Sequence, residues 1–265
     1  MIEVIKQSIE GSKSGEERVN RTREFLQVLM LKILFDRGYF ENIAFAGGTA
    51  LRILYGLRRY SEDLDFSLVK KEKYDFDKIA DALLFELGKN GFKVEEKRRT
   101  VQTVNSVLLR FSGLYGKLDL PGQSDEKFLV KLEVDSNPPK GGKSVIMPLT
   151  DRFVLAVNTF DLPSLFAGKL HACFFRKYTK GRDFYDLVWY LGKRITPNLK
   201  LLNNAVIQTE KKDLKLTELT YKDFLAEKLK KVDFTGVRKD VEVFLEDKNE
   251  LKLLDKELIL KMLNT

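Results

Sequence analysis

The sequence predicts an α+β fold in which a mixed sheet with its helices comes first and a mainly helical region follows. Segments typical of strands all lie before residue 161, and from Leu162 onward the apolar residues recur at helical spacing. A glycine pair, Gly47-Gly48, separates the first predicted strand from a short helix. We therefore predict one domain at residues 1–150, beginning with a helix, and a second, mainly helical domain at residues 151–265.

The elements follow in chain order from periodicity and from the residues that end helices. Helices are predicted at residues 17–37, 49–55 and 77–90, the first stopping at Gly38 and the last at Gly91. Strands are predicted at residues 43–46, 64–69, 92–99, 101–111 and 128–135, and residues 144–160 are extended. The Pro- and Gly-rich run at residues 137–142 predicts a loop and a candidate domain boundary.

Composition narrows the class of protein. The 265 residues are 43% hydrophobic, enough for a sizeable core, and the net charge of +8 favours a polyanionic partner. The single cysteine, Cys173, cannot form an internal disulfide and is expected to be a small buried residue. Neither a run long enough to span a membrane nor a secretory signal is present, so we expect a cytoplasmic protein without a membrane partner.

The glycine pair is a candidate phosphate site. Gly47 and Gly48 let backbone N–H groups approach an anion, and the following helix offers its positive end. The pattern lacks both the G-x-G-x-x-G fingerprint and the lysine of a Walker loop, which disfavours those nucleotide-binding folds. The alternative is an ordinary strand-to-helix turn with Thr49 as the N-cap.

Two aspartates follow on the next predicted strand. Asp63 and Asp65 are two residues apart, so their carboxylates point the same way, roughly 6–7 Å apart along the chain. They repel one another unless a cation lies between them, which predicts a Mg²⁺ site that Mn²⁺ could also fill. Beside a phosphate cradle, such a site suggests chemistry on a nucleoside triphosphate. A solvated strand edge is the alternative.

A glycine turn, one helix and Asp-x-Asp on the next strand together resemble the layout of polymerase-β-like nucleotidyltransferases. This resemblance implies a third carboxylate on a later strand. In the predicted strand 128–135, Lys131, Glu133 and Asp135 face one way. Either Glu133 or Asp135 could complete the triad, and Glu133 is preferred.

Two sequence motifs narrow the resemblance to one family of nucleotidyltransferases. Residues 47–66, GGTALRILYGLRRYSEDLDF, are similar to the first motif of the AbiEii/AbiGii nucleotidyltransferase toxin family, and Arg59, Ser61, Asp63 and Asp65 match it position by position. Residues 169–187 resemble the family's second block, K-L-x-A, then R, then R-D-x-x-D-L. The resemblance implies an NTP-dependent toxin that transfers a nucleotide, in known members onto tRNA, and a cognate antitoxin as its companion.

Lys169 lies on an apolar helical face with Leu165, Phe166 and Leu170. A lysine there is costly unless it meets an anion or extends its ammonium to solvent. The functional interpretation is a point charge on a triphosphate, and the family pattern also places a functional lysine here.

Two aspartates of the second block have competing interpretations. Asp183 stands where a helix N-cap is expected, and Asp186 would then lie near the first turn, favourable to the helix dipole. The family resemblance assigns catalytic weight to one aspartate of this block. Asp186 is preferred and Asp183 is retained.

The remaining candidates complete a predicted nucleotide site. Gly47, Gly48 and Thr49 are expected to bind the β- and γ-phosphates, Lys169 with Arg59 to neutralise developing charge, and Ser61 to shape the metal loop. The sole histidine, His171, lacks partners for a zinc site and is expected at the surface. Of the basic stretches, 97–99, 176–182 and 228–231, the second is expected to meet an RNA backbone.

Two other functions stay open at this stage. The same site could transfer a nucleotide to a protein hydroxyl or to a small molecule such as an antibiotic, although the positive charge favours RNA over a cationic aminoglycoside. A non-catalytic module that binds RNA or a partner protein is the third hypothesis. The presence of all the expected acids and of Lys169 argues against it.

Overall fold

The computed structural model of the chain describes residues 1–264, and its strands form one sheet. The strands are β1 (Ile43–Ala46), β2 (Asp63–Leu68), β3 (Lys93–Val101), β4 (Val104–Ser112), β5 (Phe128–Asp135), β6 (Ser144–Thr150) and β7 (Val154–Phe160). Their order is β3-β4-β5-β2-β1-β7-β6. β2 is antiparallel to β1 and parallel to β5, and β1 is parallel to β7. The predicted α+β class with a mixed sheet is confirmed.

Helices precede, interrupt and follow the sheet. They are α1 (Ile2–Ile9), α2 (Gly15–Asp36), α3 (Gly47–Tyr55), α4 (Phe76–Lys89), α5 (Leu114–Lys117), α6 (Leu162–Phe175), α7 (Gly181–Gly192), α8 (Leu199–Glu210), α9 (Tyr221–Lys230), α10 (Phe234–Val241) and α11 (Lys256–Asn264). Short 3₁₀ segments lie at Tyr39–Glu41, Glu242–Phe244 and Lys248–Leu253. Within residues 1–264, no helix is long and apolar enough to cross a membrane.

The chain divides into two compact units. The sheet unit comprises Met1–Tyr55, Tyr60–Asn137 and Ile146–Thr159, and the helical unit comprises Gly56–Arg59, Pro138–Val145 and the chain from Phe160 onward. The division after Thr159 differs from the predicted boundary between residues 150 and 151. The reason is that β7 pairs with β1 and so belongs mostly to the sheet.

In the sheet unit, helices α2 and α4 begin at side-chain caps and pack near the sheet. Ser14 accepts a hydrogen bond from the N–H of Glu17, and Asp75 accepts one from Lys78. Alternate strand residues are buried, because successive side chains point to opposite faces. The buried set includes Leu64, Phe66, Val107, Leu109, Val130 and Leu132. Each fully buried side chain of this size contributes about 1.5–3 kcal/mol.

The β3–β4 hairpin differs from its prediction at the turn. Val101 is the last residue of β3, and β4 begins at Val104 rather than at residue 101. Gln102 between them has φ of +55°, in the left-handed region that tight turns use. Alternation of side chains alone does not locate such a turn, so the two strands were predicted nearly continuous.

The helical unit has its own core. Helix α6 begins after Asp161, whose side chain accepts from the N–H of Ser164, and Pro163 lies in its first turn. The ring of Phe166 on α6 stacks on that of Tyr190 on α7, with 4.4 Å between centroids. Buried residues from the other helices include Leu202, Leu225, Val237 and Ile259. The predicted helical character of the chain beyond Leu162 is confirmed.

Candidate active site

The glycine pair lies where β1 ends and α3 begins. Gly47 has φ of +73°, a conformation that glycine adopts without the penalty of a side chain. A Cβ at this position would lie 3.0 Å from both Cβ and Cγ of Asp65, and closer still to its Oδ2. Position 47 therefore requires glycine for two reasons, its backbone conformation and the close approach of the Asp65 carboxylate.

Thr49 connects this bend to the acidic strand. Its side chain is fully buried, and its hydroxyl donates to the main-chain carbonyl of Asp63. Because α3 already begins at Gly47, the alternative interpretation of Thr49 as its N-cap is wrong. Thr49 holds the first residue of β2 in place, and its role as a phosphate ligand stays a prediction.

The parallel pairing of β2 with β5 decides which acids are neighbours. Asp65 is the register partner of Glu133, and Asp63 is the partner of Lys131. Neighbouring strands lie about 4.8 Å apart, and paired residues point to the same face. Asp63, Asp65 and Glu133 therefore share one face of the sheet beside the glycine bend.

Asp135, the alternative third acid, is used differently. It is paired with Ser67, one step further from the two aspartates of β2. Its Oδ1 accepts from the hydroxyl of Thr103 at 3.2 Å and from the N–H of Asn137 at 2.9 Å, which fixes the turn after β5. The geometry therefore favours Glu133 over Asp135 as the companion of Asp63 and Asp65.

A lysine lies among these acids. Nζ of Lys131 is 2.5 Å from Oε1 of Glu133. Burial alone would lower the pKa of Lys131, but Glu133, followed by Asp63 and Asp65, raises that pKa above its usual value. Within residues 1–264, no three His, Cys, Asp or Glu side chains are arranged closely enough to hold a metal ion. In this structure, the Lys131 ammonium is the cation that Glu133 contacts.

A second group of charged residues lies in the helical unit. Arg59 binds Asp186 through two hydrogen bonds, Nε to Oδ1 and Nη2 to Oδ2, each 2.6 Å long. Nζ of Lys169 is 2.7 Å from Oδ1 of Asp183 and 2.8 Å from Oδ2 of Asp186. Nη1 of Arg176 is 2.8 Å from the other oxygen of Asp183. We call these five residues the Lys169 network.

Burial and pairing set the ionisation of this network. Burial alone would lower the pKa of Lys169, but Asp186 and Asp183 raise it well above its usual value. Burial would raise the pKa of Asp183, but Lys169 and Arg176 hold it below the usual value. Both groups are therefore charged at neutral pH. Removing one partner from a buried pair leaves a bare charge, at a cost of about 3–5 kcal/mol.

The network answers two questions that the sequence left open. Lys169 does not extend its ammonium to solvent, because the side chain is only 10% exposed and two carboxylates receive its charge. Asp183 is not the N-cap of α7, because that position is Lys180; Asp183 lies buried in the first turn. Both aspartates contact Lys169, so its contacts alone do not favour one over the other.

Two polar contacts of the candidate site were not predicted from the sequence. The pairing of Arg59 with Asp186 joins residues 127 positions apart, and no local periodicity indicates it. The amide of Gln27, buried on α2, donates to the carbonyls of Ser61 and Glu62 at 3.1 and 2.9 Å, and so fixes the segment that leads into β2. A glutamine among the apolar residues of a long helix was the available signal.

The remaining predicted residues have ordinary surroundings. His171 is partly exposed, with Nε2 2.9 Å from the hydroxyl of Thr209, and burial lowers its pKa. Cys173 is only partly buried, and its thiol donates to the main-chain carbonyl of Asp183 at 3.3 Å. Neither residue belongs to a cluster of metal-binding side chains within residues 1–264.

Comparison with known proteins gives the family. The profile of the nucleotidyl transferase AbiEii toxins of type IV toxin–antitoxin systems matches residues 29–256. The chain belongs to the AbiEii nucleotidyl transferase toxin family. The match extends across the glycine bend, the acidic strands and the Lys169 network. It therefore confirms the predicted family and supports a toxin of the nucleotidyltransferase class.

Solved structures show the same fold as this AbiEii family member. The crystal structure of JHP933 from Helicobacter pylori has a TM-score of 0.54 at 21% identity, covering 92% of this chain and 93% of that one. A second crystal structure, of a protein named as a candidate nucleotidyltransferase from H. pylori, has a TM-score of 0.51 at 21% identity, with coverage of 91% and 95%. No curated protein sequence matches.

Proposed function

We propose that the chain transfers a nucleoside monophosphate from an NTP to an RNA acceptor, the 3′ end of a tRNA, as the toxin partner of a cognate antitoxin. The observation that carries this proposal is the shared sheet face of Asp63, Asp65 and Glu133 beside the glycine bend. The family gives the reaction class, and the net charge of +8 favours a nucleic-acid acceptor.

The acids suit a hard divalent cation. Three carboxylates supply only oxygen donors, which Mg²⁺ prefers and Mn²⁺ also accepts. When bound, the metal would lower the pKa of the attacking hydroxyl and stabilise the charge on the leaving group. Asp63, Asp65 and Glu133 are the residues that would hold it, and their carboxylates would first have to move together, because no three such side chains within residues 1–264 are close enough to share an ion in this structure. For Glu133 to take part, its carboxylate has to leave the ammonium of Lys131.

The glycine bend serves the nucleotide. Because Gly47 and Gly48 carry no side chains, no side chain of their own would hinder the β- and γ-phosphates from approaching main-chain N–H groups at the start of α3. In the reaction the acceptor hydroxyl oxygen forms a bond to the α-phosphorus as the bond to the bridging oxygen breaks. Pyrophosphate leaves, and the hydroxyl proton passes to solvent.

We infer a role for Lys169 in this reaction from its family motif. Lys169 supplies a positive charge for the developing negative charge on the phosphates, in the role that its family motif implies. Arg59 and Asp186 are positioning residues, because their paired hydrogen bonds fix the carboxylate on which the Lys169 ammonium rests. Asp183 holds the same ammonium from its other side and is itself held by Arg176.

The proposal is tested with the full chain, total tRNA, Mg²⁺ and each labelled NTP in turn. We expect label on RNA with at least one NTP, and its loss in Asp65→Asn and Asp63→Asn. Asp135→Asn is the matched control. It removes a carboxylate from the same face of β5 as Glu133, but one that is bound to Thr103 and Asn137 at the turn. Absence of label on RNA with every NTP would contradict the proposal, and label on protein would identify the alternative acceptor.

A further inference from the structure

One face of the sheet is exposed along the edge strand β3 and only partly accessible between β3 and the acids, where Ser106 on β4 is 9% exposed and Leu108 and Arg110 are half-buried. On β3 the odd-numbered residues from Lys93 to Arg99 are exposed, whereas the intervening residues are partly buried. On β5 the same alternation leaves Lys131 and Glu133 half-buried, between fully buried neighbours. Paired residues share a face, so the register of β3, β4, β5 and β2 makes this one continuous surface, which we call the open face.

Two neighbouring rows cross the open face from the acids to the edge. The first row is Asp65, Glu133, Ser106 and Arg99; the second is Asp63, Lys131, Leu108 and Lys97. Each row therefore begins with a proposed metal ligand and ends, three strands away, with a cation. At the usual strand spacing the Cα atoms at the two ends are roughly 14 Å apart.

The cations at the edge differ from their neighbour on the opposite face in their acidic partners. Among residues 1–264, neither Lys97 nor Arg99 forms an ion pair, whereas Arg98 between them, on the opposite face, is bound by Asp77, Asp81 and Glu96. The basic run in the sequence is thus divided by the strand alternation. Arg98 is neutralised by acids that include two residues of α4, whereas Lys97 and Arg99 lie on the same face as Asp63, Asp65 and Glu133.

The middle of the open face adds a third cation. Arg110 on β4 is the register partner of Glu95 on β3. Glu95 is the one acid that β3 places on this face, and it already contacts Lys127, with 2.6 Å between Nζ and Oε2. Like charges collected on one surface repel, and a polyanion relieves that repulsion with release of its counterions.

The stretch expected to bind RNA is more fully engaged. Arg176 is held by Asp183 at 2.8 Å, and the guanidinium of Arg182 lies 4.5 Å from the ring centroid of Phe244. Lys180 lies over the ring of Tyr178 at 5.7 Å. These contacts engage Arg176, Lys180 and Arg182 inside the helical unit, although Lys177 of the same stretch is exposed. Lys97 and Arg99 have no such contacts among residues 1–264.

We propose that Lys97 and Arg99, with Arg110, hold the sugar–phosphate backbone of the RNA acceptor on the open face. This inference rests on the proposed function and names the surface that the RNA uses. The contacts are to phosphates and carry no base sequence. Metal ligands lie about 2.1 Å from Mg²⁺, so side chains three strands away position the strand rather than take part in the chemistry.

The test measures binding of fluorescent, deacylated total tRNA to the full chain by anisotropy, without NTP, at several salt concentrations. Lys97→Gln with Arg99→Gln should weaken binding about tenfold and lower the slope of log K against log salt by about 1–2. The matched control is Lys78→Gln with Lys89→Gln, two exposed lysines of α4 whose loss changes the net charge equally. The control should bind within about twofold of the parent, with the same slope.

Folding and function are separated by two further measurements. The thermal midpoint of the Lys97→Gln, Arg99→Gln variant should equal that of the parent, and the charge-preserving Lys97→Arg, Arg99→Lys variant should bind tRNA normally. Equal binding by the glutamine variant and its control, or no tRNA binding by the parent, overturns the inference. If the glutamine variant binds tRNA normally while the parent transfers label to RNA, only this inference fails. If the parent binds tRNA through Lys97 and Arg99 but transfers no label to RNA, only the proposed function is contradicted.

Discussion

The carboxylate of Asp65 packs against Gly47, in the space that a side chain at position 47 would fill. The contact joins the two features that the sequence offered separately, the glycine pair and the Asp-x-Asp strand. Ala46 is also the register partner of Asp65, so the end of β1 and the acidic strand are held together by main-chain pairing. The bend and the acids thus form one structural element.

Gly47→Ala is expected to abolish nucleotidyl transfer and to destabilise the protein. A left-handed alanine costs about 1–2 kcal/mol, and displacement of Asp65 adds about 1–3 kcal/mol. Gly38→Ala is the control, because Gly38 has the same φ of +73° but no atom of residues 1–264 within 4 Å of its added Cβ. Urea unfolding and the labelling assay measure both effects. Equal stability of the two variants would show that Asp65 does not constrain position 47.

Lys131→Gln is expected to strengthen Mg²⁺ binding in the absence of nucleotide. The ammonium contacts Glu133 and repels a second cation, so its removal frees a ligand and lowers the local positive charge. We expect an increase in affinity of about three- to tenfold, a change of roughly 1 kcal/mol, by isothermal titration calorimetry. Lys127→Gln, which breaks the pair with Glu95, is the control and should leave Mg²⁺ affinity unchanged. Weaker Mg²⁺ binding by Lys131→Gln would mean that the lysine supports the metal site.

Arg59→Met is expected to lower the free energy of unfolding by about 3 kcal/mol, because the buried Asp186 would lose one of its two cationic partners and keep only Lys169. Arg58→Met is the matched neighbour. Arg58 is 62% exposed and its Nη1 lies 3.1 Å from Oε1 of Glu250, so its loss should cost no more than about 1 kcal/mol. Denaturant titration of both variants makes the comparison. Similar losses would show that the Arg59 pair is no stronger than a surface one.

Acid should weaken the helical unit through Asp183. Its pKa is lower in the folded protein than in the unfolded chain, so the unfolded chain binds the proton more readily. The stabilisation is therefore complete above the unfolded value of about 4 and is lost as the pH falls through the lower, folded value. Asp183→Asn, which does not titrate, should show a smaller rise in unfolding free energy between pH 3 and pH 6. An unchanged pH profile would mean that Asp183 gains nothing from Lys169 and Arg176.

The sequence predicted the individual acidic strands well, because period-two alternation is a local property. It placed Glu133 and Asp135 on one face but left the choice between them open. That choice depends on register, which the sequence of one strand does not contain: Asp65 is paired with Glu133, and Asp135 closes a turn. The family motif supplied the candidate residues, and strand pairing supplied their neighbours.

Long-range polar contacts were the least predictable part of the site. Helical spacing showed that Lys169 needed an anion, yet both Asp183 and Asp186 meet it, and the guanidinium of Arg59 completes the group. Capping rules suggested an N-cap role for Asp183, because they consider one helix alone and omit a buried cation from another. The ion pair between Asp183 and Lys169 competes with N-capping, and it favours a position of the Asp183 carboxylate inside the first turn of α7.

Arg59 lies in a four-residue excursion, Gly56–Arg59, that belongs to the helical unit although sheet-unit residues precede and follow it. A fragment starting at Phe160 would contain Asp186 without this guanidinium, and one ending at Thr159 would contain Arg59 without its carboxylate. Cutting the chain at the boundary therefore yields two incomplete pieces rather than two independent domains. During synthesis on the ribosome, Gly56–Arg59 emerges long before α7, so the pair between Arg59 and Asp186 forms only after α7 has emerged as well.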